Sequence, residues 1–263
     1  MSPPQFLDQM GRLISVSFPP QRIISLVPSQ TELLFELGLD QEVVGITKFC
    51  IHPAEKFKTT VKIGGTKKLN LKRIRELKPD LIIGNKEENE RGQIEELMTE
   101  FPVWMSDINS FADAIEMIRG IGSLTGKPQQ AEMLAFKILE GFKSIDLSPN
   151  GKQKVAYFIW KDPYMVAGRD TFIDDILNKA GYDNFTELSR YPELDSEQIR
   201  KLQPDIVFLS SEPYPFKDLH VGEIKRICPS AKVMVVDGEI FSWYGSRLLH
   251  TPVYLQTLAD LMN

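Results

Sequence analysis

The ten residues IRELKPDLII (74–83) return in altered form as IRKLQPDIVF (199–208), and this repetition restricts the fold more than any other feature of the chain. Each copy has the same physical grammar. Ile74 and Leu77, like Ile199 and Leu202, stand three residues apart, the spacing of a buried helical stripe. Pro79 and Pro204 then stop the helix, because proline has no N–H to donate and clashes with the preceding turn. The apolar runs after Asp80 and Asp205 suit strands buried on both faces, as in a parallel sheet. Each copy is therefore one αβ step.

The flanking segments extend the pattern. Before the first copy, RIISLVPSQTELLFELGLDQEVVGI reads as a strand over 23–27, a helix opening near Ser29 and a strand over 43–46. Ser29 and Glu32 have capping-box spacing. Before the second copy, VAYFIW leads through Asp162-Pro163 to the helix FIDDILNKAG. Gly38 and Gly181 stand where a left-handed helix cap is favoured. Strands at 103–105 and 233–236 follow the copies, so each half reads strand–helix–strand–helix–strand with parallel crossovers. Between the halves, Phe111, Ala114, Ile115 and Ile118 mark one helix, and Gly126-Lys-Pro interrupts it. Ala131, Leu134, Ala135, Ile138, Leu139, Phe142 and Ile145 mark a second at helical spacing. The fold class is α/β: two Rossmann-like lobes with mainly parallel sheets, joined by a single long α-helix. The expected divisions are an N-terminal lobe over 1–109, a linking helical backbone over 110–147 and a C-terminal lobe over 148–263, opening with the turn SPNGK (148–152). One crossing on a rigid helix predicts little opening and closing.

Composition narrows the function. The net charge of −5 argues against a nucleic-acid binder, which would show a basic stripe. No window has the roughly 18 uncharged apolar residues of a membrane span. The first residues lack the basic-then-apolar pattern of a secretory signal, which leaves a cytosolic protein or one whose signal was removed. Cys50 and Cys228, in opposite halves, are expected to be free thiols.

Several chemistries lack their motifs. GSLTGKP fails as a phosphate loop, since its glycine spacing is short and proline replaces Ser/Thr. LVPSQT lacks the dinucleotide glycines, and neither GxSxG nor HExxH occurs. With His52, His220 and His250 the only histidines, no metal site is expected, although a metal-ion receptor using His52, His250 and carboxylates stays open. No catalytic residues and no cofactor are expected.

Open α/β sheets bind ligands beyond the carboxyl ends of their strands. Those ends carry aromatic rings at Phe49, Trp160, Phe241, Trp243 and Tyr244, with Tyr191 a further candidate. Trp243 and Tyr244 must point apart in an extended segment, so at least one is expected to face the cleft or solvent. A ring-lined pocket suits a large, flat, partly apolar ligand. Lys48, Lys67, Lys86, Arg169, Arg190 and Arg247 stand near the rim, where they could meet carboxylates or phosphates.

RIISLVPSQTELLFELG, VVGIT, NLKRIRELKPDLII and LDSEQIRKLQPDIVF, in this order, resemble the helical-backbone (class III) substrate-binding proteins of ABC importers, the cobalamin- and siderophore-receptor type. MGRLISVSFPPQRI resembles that family's entry strand. The resemblance implies a monomer with two Rossmann-like lobes, a small-molecule ligand in the cleft between them, docking onto an ABC permease, and a periplasmic location. Any metal would be the ligand's own cobalt or iron. Phe49, Trp160 and Tyr191 match aromatic ligand positions of the cobalamin-binding pattern, whereas Thr66 and Asn85 stand where that pattern has tryptophans. The implied ligand is a corrinoid, a haem-like chelate or a metal-siderophore. Of the family's two docking glutamates, Glu197 matches the second; Lys72 occupies the place of the first, with Glu76 one helical turn on as a substitute. The alternatives are a cytosolic small-molecule sensor of the same fold and an enzyme on paired Rossmann lobes.

Overall fold

The structure, a computed structural model, describes residues 3–144 and 153–262. The chain divides into two units. One comprises residues 1–108, 112–140 and 244–249; the other comprises 109–111, 141–243 and 250–263. The expected turn at 148–152, the boundary at 147/148 and the stripe residue Ile145 lie outside the described residues.

The first unit opens with an antiparallel hairpin, β1 (Gln5–Leu7) and β2 (Leu13–Ser15). Asp8 holds its turn by accepting from the Met10 and Arg12 amides. Then follow β3 (Ile23–Ser25), α1 (Pro28–Glu36), β4 (Val43–Ile46), α2 (Ala54–Thr59), β5 (Val61–Lys62), α3 (Leu71–Leu77), β6 (Leu81–Asn85), α4 (Arg91–Met98) and β7 (Val103–Ser106). The five strands after the hairpin form one parallel sheet in the order β5-β4-β3-β6-β7. Connections leave β3 toward one edge and then return to its other side, so the order switches direction beside β3. Strands β3 and β6 are buried at every position, as their continuous apolar runs require.

Helices α5 (Phe111–Leu124) and α6 (Pro128–Lys143) follow. Ala131, Leu134, Ala135 and Ile138 of α6 are buried. Gly122 permits close helix packing, since a Cβ there would lie 2.2 Å from that of Ala131.

The second unit contains β8 (Lys154–Trp160), β9 (Tyr164–Val166), α7 (Phe172–Lys179), β10 (Asp183–Asn184), β11 (Glu193–Leu194), α8 (Ser196–Leu202), β12 (Ile206–Ser210), α9 (Asp218–Ile227), β13 (Lys232–Val236), α10 (Gly238–Ser242) and α11 (Thr251–Met262). Its sheet has the order β11-β9-β8-β12-β13, with β10 beside the start of β8. Strands β8, β12 and β13 are parallel, while β9 and β11 add antiparallel edges.

The repeated phrase folds the same way twice. Helix α3 ends in Lys78 and α8 in Gln203, both left-handed (φ 47° and 49°), because the following prolines bar the right-handed helical region. The aspartates then clamp the central strand's entrance. Asp80 accepts from the Gln21 and Arg22 amides at 2.7 and 2.8 Å, and Asp205 accepts from the Lys154 amide at 2.7 Å.

Two expectations need correction. Helix α1 begins at Pro28, after Val27, with no side-chain cap. Proline at the first helical position brings no amide to cap, and Glu32 is instead paired with Arg247. The C-terminal lobe is also not continuous from 148 to 263. Residues 244–249, including a 3-10 turn at Ser246–Leu249, belong with the first unit, tied there by the Arg247–Glu32 pair and by the close approach of Gly245 to the Ser29 carbonyl.

Candidate functional site

In the first unit the strand-end loops present one large exposed ring. Phe49, just beyond β4, is 50% exposed, and the Lys48 ammonium lies 5.0 Å from its ring centre. Gly65 lets the neighbouring loop pass beneath the ring; a Cβ there would stand 3.0 Å from the Phe49 edge. Under this loop Cys50 is fully buried, its thiol within 3.0 Å of the Thr31 hydroxyl and 3.1 Å of that of Thr47. Burial pushes the thiol's pKa up, which keeps it unreactive. Cys228 is likewise buried and free.

Thr66 is half-buried, and its carbonyl accepts from the Asn89 side chain at 3.1 Å. Asn85 is buried and committed to the protein. Its amide group donates to the Ser106 hydroxyl at 2.9 Å, and its oxygen accepts from the Glu87 and Glu88 amides. Asn85 thereby pins the turn after β6. Lys86 pairs with Asp107 at 2.6 Å. Arg247, expected at a ligand rim, makes a two-point bond with Glu32 at 2.7 and 3.1 Å, which spends its fork.

In the second unit Trp160, the last residue of β8, is 41% exposed. Its ring stands edge-on to Tyr214 with centres 5.6 Å apart. Tyr214 packs in turn on Phe216 and His220. Sequence reasoning missed Tyr214; the signal was the run EPYPF after β12, which places rings at a strand end. Tyr191 is half-buried beneath the Arg190 guanidinium, 5.6 Å from its ring centre. Arg190 is anchored on Asn109 at 2.7 Å, and Arg169 on Glu187, Asp183 and Asp174.

Trp243 and Tyr244 are both buried, each in a different unit. Trp243 closes the second unit and donates to Glu212 at 2.7 Å, whereas Tyr244 is buried as part of the first unit. Beside Glu212 a cavity of about 540 Å³ opens at the ends of β12 and β13, lined by Ser211, Glu212, Val235, Val236, Asp237 and Glu239. Burial holds the Glu212 carboxyl above the usual glutamate range; bonds from Ser242 and Trp243 oppose this shift, and Glu239 and Asp237 add to it.

Among the described residues no group of three or more His, Cys, Asp or Glu side chains is placed to hold a metal ion, and no helix is long and apolar enough to cross a membrane. The two residues matched to docking positions are exposed. Glu197 lies in the first turn of α8, paired with Lys201 at 2.8 Å, and Glu76 on α3 is paired with Arg73 at 2.9 Å, with Lys72 exposed on the same helix.

The family model described as periplasmic binding protein matches residues 23–226. The vitamin B12-binding protein of Pectobacterium carotovorum subsp. carotovorum (strain PC1) is 24% identical over 237 residues, covering 88% of this chain and 85% of that protein. An uncharacterized ABC transporter substrate-binding lipoprotein of Bacillus subtilis (strain 168), YvrC, is 27% identical over 213 residues, covering 76% of this chain and 67% of that protein. Among solved structures, the periplasmic vitamin B12-binding protein BtuF of Vibrio cholerae superposes with a TM-score of 0.79 at 20% identity, covering 92% of this chain and 98% of that one. The periplasmic heme-binding protein RhuT from Roseiflexus sp. RS-1 gives 0.75 at 22% identity, covering 91% and 97%. These structures share the fold.

Proposed function

The chain belongs to the periplasmic binding protein family, and from that premise we propose that it is the solute-binding component of an ABC importer, taking a flat metal-bearing macrocycle such as a corrinoid or haem. One observation carries the choice of solute. Phe49, three residues beyond β4, and Trp160, the last residue of β8, are large rings left about half exposed at the carboxyl ends of their strands, the end of an open α/β sheet at which ligands bind. Exposing such rings to water is unfavourable unless something covers them. A conjugated macrocycle does so by stacking. Thr66 and Tyr191, both half-buried, are assigned to ligand contact by their match to positions of the cobalamin-binding pattern.

The metal, cobalt or iron, belongs to the solute, and the protein binds without catalysis. Relatives bearing the names vitamin B12-binding and heme-binding protein support both parts of this reading. Glu197 and Glu76 are assigned to docking on the permease, and the family's periplasmic setting is assigned to this chain.

Titration with cyanocobalamin, haemin and a ferric siderophore, followed by tryptophan quenching, tests the assignment. Trp160→Ala and Phe49→Ala are each expected to weaken the bound macrocycle about tenfold or more while changing stability by less than about 1 kcal/mol. Binding of none of the three, or equal affinity in both variants, defeats the proposal. For docking, Glu197→Lys is expected to lower transport in cells without changing solute affinity.

A further inference from the structure

The first turn of α1 stands beside β3, where the strand order of the first sheet switches direction. An open α/β sheet takes its ligand at such a switch point. This turn is uncapped: Val27 supplies no side-chain acceptor, and Pro28 has no amide. The Ser29 and Gln30 amides are left without an acceptor inside the helix, whose hydrogen bonding starts with Thr31 donating to Val27. Three side-chain atoms nearby are also unpaired. Ser29 Oγ, Gln30 Oε1 and Ser246 Oγ have no hydrogen-bond partner, although these residues are only 3%, 0% and 5% exposed. Ser246 is held next to this turn on two sides. Gly245 lies against the Ser29 carbonyl, so that a Cβ there would be 2.9 Å from it, and Arg247 grips Glu32, one helical turn beyond Ser29. The Gln30 side chain is fixed from the far end, donating to the Ser106 hydroxyl at 2.6 Å and the Gly84 carbonyl at 3.2 Å.

Buried polar groups are almost always paired, and two amides with two hydroxyls in one place form a donor set. We propose that the first turn of α1, closed by Ser246, is a subsite for a single carboxylate of the solute. The helix N-terminus supplies the amides and the favourable dipole. The Ser29 and Ser246 hydroxyls complete the shell. Arg247 is neutralised by Glu32, so the subsite carries no free cation and suits one negative charge rather than two. This inference deepens the macrocycle reading by giving the solute an acidic side arm.

Two measurements keep the subsite and that reading separable. In the first, the full chain, labelled with ¹⁵N, is titrated with sodium acetate at fixed ionic strength. Saturable shifts of the Ser29, Gln30 and Ser246 amides are expected, and Ser29→Ala should weaken acetate at least threefold. Absence of the shifts, or unchanged acetate affinity in Ser29→Ala, overturns the subsite; tighter binding of inorganic phosphate overturns its single-charge character.

In the second, haemin is compared with its dimethyl ester. The acid is expected to bind about tenfold or more tightly than the ester, the worth of hydrogen bonds to a charged group. Ser29→Ala and Ser246→Ala should each shrink that ratio at least threefold with ester affinity unchanged, and Ser29→Thr should restore it. Equal affinity for acid and ester overturns the subsite. If neither porphyrin nor cyanocobalamin binds while the acetate shifts persist, the macrocycle reading falls and the subsite stands. Thermal melts of the unliganded Ser→Ala variants separate binding from scaffolding: midpoints no lower than the parent's are expected, because each variant removes an unpaired buried hydroxyl, and a large drop would mark the serines as structural.

Discussion

The two copies of the repeated αβ step are closely alike up to the end of their strand and unlike beyond it. In the first, β6 runs into Asn85, whose side chain pins the next two residues while Asn89 holds the Asn85 amide at 2.9 Å. In the second, β12 ends at Ser210, and Ser211 leads into a half-buried acid, Glu212, beside an open cavity and a ring at Tyr214. The shared part is scaffold: a helix with one buried isoleucine, a left-handed exit, a proline and an aspartate clamp. The part that differs meets the surface. A duplicated unit thus keeps its packing grammar while its strand ends diverge.

The strongest challenge to the shared scaffold is to empty it. Ile74 and Ile199 are both fully buried, so Ile74→Ala and Ile199→Ala are each expected to cost about 3–4 kcal/mol in urea denaturation. A difference of more than about 1.5 kcal/mol would show that the two helices are not equivalent supports. The aspartate clamps should differ. Asp80→Ala removes two charge-assisted bonds to backbone and is expected to cost about 2 kcal/mol, whereas Asp205→Ala removes one such bond and should cost about half that. Equal losses would mean that the second bond to Asp80 contributes nothing.

Acid titration sharpens the contrast at the strand ends. Glu212 has its pKa raised in the folded chain, so the folded state holds that proton more tightly than the unfolded one. Stability attributable to Glu212 is therefore present at low pH and declines as pH rises from the ordinary glutamate value of about 4.3 through the raised folded value. Glu212→Gln should flatten that part of the curve, with a gain of about 1 kcal/mol over the parent near neutrality that vanishes in acid. A parallel pair of curves would remove Glu212 from the account. The smallest effect concerns the helix exits: Lys78→Gly and Gln203→Gly each relieve a left-handed side chain and should stabilise by about 0.5–1 kcal/mol, alike in both units.

Much of this was legible in the sequence because it is local. Apolar runs gave the central strands, and Gly38 and Gly181 do adopt the left-handed conformation expected at helix ends. Phe49 and Trp160 could be placed at strand ends from the runs that precede them. The failures are of another kind. Capping by Ser29 looked right by spacing, but the helix starts at Pro28 with Val27 at the N-cap, two residues earlier. Asn85 entered the candidate site by its match to a tryptophan position of the cobalamin-binding pattern, and the turn it pins through the Glu87 and Glu88 amides is invisible without coordinates. The Glu32–Arg247 pair joins residues 215 positions apart, a separation at which no periodicity speaks. Burial of both Trp243 and Tyr244 follows from the chain changing units between them, which pattern reading had no means to detect.

That change of units reaches into how the molecule is made. Tyr244–Leu249 complete the first unit, so Glu32 gains its basic partner and Ser29 its neighbour only after residues 141–243 of the other unit have been made. A nascent or clipped chain ending before residue 244 would carry an unfinished first half, however perfectly its strands had paired.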